Sequence, residues 1–138
     1  MEAHPFSFPK REHLYGDTTV DRLHKKGKSF LAFPVKVTYL ITTDEQPVRC
    51  MMVAPKKRFK HAVDRNRVKR QLREVYRHHK QELIDWSIAT GKQVHIAMVC
   101  VSDKLLPQRV MERKVSSALT KIAERLNEVH NVQPSNNE

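Results

Sequence analysis

The stretch "AVDRNRVKRQLREVYR", Ala62–Arg77, decides the fold because two patterns share it at one period. At about 100 degrees per residue, Val68, Leu72, Val75 and Tyr76 fall on one side, and the stripe continues through His79, Leu83 and Trp86. Such a stripe predicts a helix packed on a sheet. On the opposite side Asn66, Arg70, Arg73 and Arg77 lie within roughly 60 degrees of one another. Guanidiniums at i, i+3 and i+4 repel, a cost that an unspecialised solvated face has no reason to carry. Glu74 follows Arg70 by one turn and precedes Arg77, so it is placed to orient both and to offset part of that repulsion. The helix is expected to begin near Asp64 and to end before Gly91, a residue suited to a helix stop.

Upstream, the loop "PKKRFKHAVD" adds Lys56, Lys57, Arg58 and Lys60, and Arg65, Arg67 and Lys69 extend the charge into the helix. Residues 56–80 carry a net +9 of the whole chain's +11, with a pI near 10.0. The charge is therefore a local instrument, not a general solubilising coat. Arginine's planar fork suits phosphate oxygens, and the free N–H groups of a helix start add donors. The surface reads as a polyanion grip. A metal-dependent nuclease would need several carboxylates converging on one point, yet the acids are scattered or sit among basic neighbours. His78 and His79 are adjacent and point to different sides of a helix, which argues against a metal site and leaves no catalytic residue to name. On composition alone, a ribosomal or general structured-RNA-binding protein fits as well as any more specialised one.

Around the helix, "VKVTYLI" (Val35–Ile41) alternates as a half-buried strand. A turn at "DEQP" and a second strand, Val48–Val53, suggest an antiparallel hairpin. "QVHIAMVCV", Gln93–Val101, is a third strand. A closing helix from Pro107 carries Val115, Leu119, Ile122, Leu126 and Val129 on one face. Val20, Leu23 and His24 could line a short N-terminal helix ending at Gly27. The expectation is an α+β fold, a small, mainly antiparallel sheet packed with helices in the order α-β-β-α-β-α. The domain would span residues 10–130, with a flexible arm at 1–9 and a disordered tail at 131–138, "NVQPSNNE", which has little apolar content. Cys50 and Cys100 sit in apolar runs and read as buried free thiols. The start of the chain has no apolar signal-like core, and no run approaches the eighteen or so apolar residues of a membrane span, so the expected location is the cytoplasm.

The basic stretch resembles the signature of the bacterial ribonuclease P protein subunit. There a lysine pair leads through A-V into an R-N-R-x-K-R-x-x-R-E run. Lys56 and Lys57 supply the pair, Ala62 and Val63 the link, and Arg65, Asn66, Arg67, Lys69, Arg70, Arg73 and Glu74 the run, with Arg77 continuing its face. The resemblance implies a left-handed β-α-β crossover through the basic helix, contrary to the general rule. It implies that a catalytic RNA performs Mg2+-dependent hydrolysis of the 5′ leader from precursor tRNA, with Mg2+ held mainly by RNA. The protein, expected to be monomeric alone, would bind both RNAs, its basic face taking the catalytic RNA. The leader would lie in a cleft between the N-terminal helix and the sheet face, where Val20 and His24 occupy places that hold phenylalanines in many members. Aromatic contact would then shift to Phe30, Phe33 or Tyr39, with Lys36 and Thr38 on the sheet. A serine common before the lysine pair is replaced by Ala54 and Pro55.

Overall fold

A computed structural model describes residues 7–136, with side chains through Val129. A 3-10 turn at Lys10–Glu12 precedes α1 (Asp17–Lys26), β1 (Lys28–Ala32), β2 (Val35–Thr42), β3 (Val48–Val53), α2 (Ala62–His79), α3 (Gln81–Thr90), β4 (Gln93–Cys100) and α4 (Gln108–Asn136). The four strands form one sheet in the order β1-β2-β4-β3. β1 with β2 and β2 with β4 are antiparallel, while β3 and β4 run parallel and are joined through α2 and α3.

One expectation about the sheet is corrected, and one strand, β1, is added to it. The hairpin is made by β1 and β2 around the cis Phe33–Pro34 bond, whereas β2 and β3 are separated by β4. β4 is buried along nearly its whole length, and a strand apolar on both faces belongs in the centre of a sheet, not at its edge. β1 itself carries only one buried residue, Phe30, so its sequence shows no alternation to read.

Val35, Val37 and Tyr39 of β2, with Val48, Cys50 and Met52 of β3 and Val94, Ile96 and Met98 of β4, face the core. Against them pack Val68, Leu72, Val75 and Tyr76 of α2, Leu83 and Trp86 of α3, and Val115, Leu119, Ile122 and Leu126 of α4. Both cysteines are buried and free, and burial pushes the Cys50 thiol up, away from reactivity. The single long helix divides at Lys80, and His79 leaves the core stripe to meet Glu112 of α4 at 2.5 Å. Gly91 ends α3 in the left-handed conformation, φ 71°. α4 begins just after Pro107 and continues past His130 to Asn136. The expected tail begins within the last turns of this helix, and residues 137–138 lie outside the described residues.

α1 covers the other face of the sheet, where Leu23 and Leu14 bury Ala97. Gly27 ends this helix at a point where a Cβ would lie 2.4 Å from the Leu23 carbonyl oxygen and 2.9 Å from Tyr39 O. Only glycine lets α1 turn this closely onto β2. Of the expected flexible arm, residues 1–6 lie outside the description, but Ser7–Pro9 is docked. Phe8 stacks on His13 and edge-on against Tyr76. The buried Lys80 ammonium donates to Ser7 O and to the Glu12 carboxylate, and a buried charge paired in this way holds its partners in place. At the far end of the sheet Asp44 accepts from Arg49 (2.8 Å) and lies 2.7 Å from His95 Nε2.

Candidate nucleic-acid interface

β3 ends at Val53 and the chain turns through Pro55, whose carbonyl accepts from Arg58 and Phe59 N–H. Phe59 is buried and anchors a loop whose Lys56, Lys57 and Lys60 stay exposed. Arg65 reaches back from the first turn of α2 and donates to the Phe59 and Lys60 carbonyls, both at 2.8 Å. It therefore shapes the loop instead of projecting a free charge. Arg58 is likewise engaged, with Asp103 at 2.8 Å.

Farther along α2, Asn66, Arg67, Arg70 and Arg73 are exposed and Lys69 is half-buried. Among the described residues none of the three arginines has a carboxylate partner. Glu74 is held by Arg77 (3.0 and 2.8 Å) and by His78 (3.0 Å), not by Arg70 as its spacing suggested. The Arg77 hydrogen bond is the main reason its carboxyl sits below the ordinary range. The basic face is also wider than its wheel predicts. Arg67 and Arg70 line a groove of about 560 Å³ with Gln71, Glu74 and Gln108, the first residue of α4. Arg73 borders a separate depression with Phe8, His13, Leu14 and Met51. α2 is thus a cationic ridge between two grooves. Gln71 and Gln108 went unnoticed in the sequence because neutral amides give no charge signal.

On the α1 face the expected cleft residues divide. Val20 is half-buried, and His24 and Lys36 are exposed. Thr38 is buried, its hydroxyl 2.9 Å from that of Ser29. Phe33 is 51% exposed at the β1–β2 turn. Phe30 and Tyr39 do not join them. They lie on the opposite sheet face, edge-on to each other at 6.3 Å, with the Arg125 guanidinium 4.6 Å over the Phe30 ring, because strand alternation sends odd-numbered β2 residues to the core.

What the sequence reading missed is a transverse row. Leu31 pairs with Lys36, Lys36 with Val99, and Val99 with Val53, so four side chains from four strands share one face. Leu31 is 65% exposed, and Val99 and Val53 are half-buried. Paired register was the only signal, and it is not readable from one strand. Among the described residues no group of three or more His, Cys, Asp or Glu could hold a metal ion, and no helix is long and apolar enough to cross a membrane.

Residues 8–123 match the Ribonuclease P family model. A ribonuclease P protein component from Porphyromonas gingivalis is 36% identical over 122 residues, covering 86% of this chain and 88% of the relative. The solved RNase P protein of Staphylococcus aureus superposes with a TM-score of 0.67 at 20% identity, covering 80% of this chain and 94% of the other. That of Thermotoga maritima gives 0.65 at 21%, covering 80% and 97%.

Proposed function

The chain belongs to the Ribonuclease P protein family, and from that premise we propose that its α2 ridge binds the catalytic RNA while its α1-side row holds the 5′ leader of precursor tRNA. As a ribonuclease P protein component it is a subunit of an RNA-processing enzyme, and the general or ribosomal RNA-binding alternative falls away. In this reading the RNA carries the chemistry, Mg2+ is held by RNA and substrate, and no protein side chain acts as acid or base. The complex works in the cytoplasm.

The observation that carries the reading is the set Arg67, Arg70 and Arg73, three exposed guanidiniums on one helix without a carboxylate partner among the described residues. Their free donors suit phosphate oxygens, and the exposed Lys56, Lys57 and Lys60 extend the same field toward the sheet. Across the molecule, Leu31, Val99 and Phe33 offer apolar contact to unstacked bases, and Lys36 meets a phosphate between them. By neutralising substrate phosphates, such a surface raises affinity and lowers the Mg2+ needed for hydrolysis.

The test is reconstitution with the catalytic RNA of the same genome and a precursor tRNA at low Mg2+. Cleavage at the mature 5′ end should require the RNA and rise when the protein is added. Cleavage by the protein alone, or no response to it at any Mg2+ level, would overturn the reading.

A further inference from the structure

The groove between α2 and α4 holds one group that a phosphate grip does not use. Gln71 is only 7% exposed, and its Nε2 donates to the Leu106 carbonyl at 2.8 Å. That bond fixes the amide, since turning it over would set two oxygens against each other. Oε1 is left as a buried acceptor without a partner among the described residues, a costly condition in a folded interior. Gln71 nevertheless lines the groove of about 560 Å³ together with Arg67, Arg70, Glu74 and Gln108. The mouth is positive. Both arginines are exposed, α4 starts there with no acidic residue in its first turn, and the Glu74 carboxylate is already taken by Arg77 and His78. A long helix contributes partial positive charge at its start.

We propose that this groove takes a single unstacked RNA nucleotide, its phosphate between Arg67 and Arg70 and an exocyclic amino group of its base on Gln71 Oε1. This rests on the catalytic-RNA reading above and adds base selectivity to it. An acceptor with no donor beside it selects a donor: adenine, cytosine and guanine each carry a projecting exocyclic amino group, whereas uracil offers only its ring N3–H between two carbonyl oxygens. Inside a duplex each amino group gives one hydrogen to pairing, and the other faces the deep major groove for adenine and cytosine or the shallow minor groove for guanine, so a buried acceptor between two helices is met by a base that is unpaired and unstacked. The ridge arginines give affinity, and the glutamine discriminates.

The experiment uses the full chain and the catalytic RNA of its own genome, transcribed with sparse inosine, purine riboside or pyrimidin-2-one riboside to delete single amino groups. Bound and unbound pools are then sequenced. One amino deletion should weaken wild-type binding about 5- to 10-fold, and Gln71→Met, weaker by a similar factor on unmodified RNA, should be indifferent to it. A second measurement needs no Gln71 variant. The phosphate whose ethylation interferes with wild type but not with Arg70→Ala should belong to the nucleotide carrying that amino group. Absence of amino interference at that nucleotide, or interference that persists undiminished in a folded Gln71→Met, overturns the inference. Failure of the chain to bind this RNA at all would instead overturn the underlying reading.

Discussion

Replacing Arg67, Arg70 and Arg73 together with alanine separates charge from fold. All three are exposed and outside the core, and alanine is at least as good a helix former as arginine. Removing the repulsion between Arg67, Arg70 and Arg73 at successive i, i+3 spacings relieves a few tenths of a kcal/mol. The melting temperature should therefore stay constant or rise slightly. Binding behaves differently. Each phosphate contact contributes about 0.7 to 0.9 to the slope of log affinity against log salt, so three lost contacts flatten it by roughly 2 to 3. At about 0.1 M salt that corresponds to roughly 3 to 4 kcal/mol, a few hundredfold in affinity, and at about 0.4 M to only about tenfold. Filter binding to the catalytic RNA across that salt range reads both numbers. Parallel plots for parent and variant would refute the phosphate assignment, and a lowered melting temperature that accounts for the loss would refute the surface assignment.

Leu72, with no exposure, should cost roughly 2 to 5 kcal/mol when cut to alanine; a variant that melts like the parent yet fails to bind RNA would contradict its core placement. Arg65→Ala should release the Lys56–Lys60 loop, lowering stability by about 1 to 3 kcal/mol and speeding tryptic cleavage there, and unchanged proteolysis would sink the clamp. Asp44 is pushed up by burial but held lower still by Arg49, the Gln46 N–H and His95, for a net fall below the ordinary range. Its depressed folded pKa contributes stability above about pH 4 that is lost as the pH falls. The melting-temperature gap between wild type and Asp44→Asn should accordingly shrink in acid, and a gap independent of pH refutes this. Phe33→Ala should weaken precursor tRNA by on the order of 1 to 3 kcal/mol and leave mature tRNA unchanged, whereas equal losses would place Phe33 outside the leader path.

The helical segments were legible in the sequence because their apolar residues repeat along one stripe, although the division of the central one at Lys80 was not, and the basic ridge was legible because its guanidiniums share a face with little acid. The order of strands was not. Proximity in sequence favoured pairing Val35–Ile41 with Val48–Val53, but the more deeply buried Gln93–Cys100 displaces that contact by entering between them. Two-sided burial is a tertiary property. The same limit explains Phe30 and Tyr39, whose aromatic character suggested base stacking until register turned them toward α4. Arg65 illustrates a third limit, since its charge looks like that of Arg67 and only the loop carbonyls beneath it show that its donors are spent. Charge patterns identify a surface, but the hydrogen bonds decide which of its members remain free.

The covalent path links the two surfaces proposed above to bind RNA, which lie on different sides of the sheet. The transverse row ends on β3 at Val53, and the next exposed side chains along the backbone are Lys56 and Lys57, which lead into α2. Met52 and Cys50 of the same strand are buried in the core on the side of α2 and α3, so β3 carries the row on one face and supports the ridge's core stripe on the other. Phe59 in the core and Arg65 on the Phe59 and Lys60 carbonyls fix the connecting loop at both ends. A close-packed interior transmits displacement instead of absorbing it. In the proposed complex, with catalytic RNA on Arg67, Arg70 and Arg73, the row assigned to the leader would therefore be held at a set distance from it. On the proposed reading, positioning of this kind would supply binding energy and orientation and leave the chemistry to the RNA.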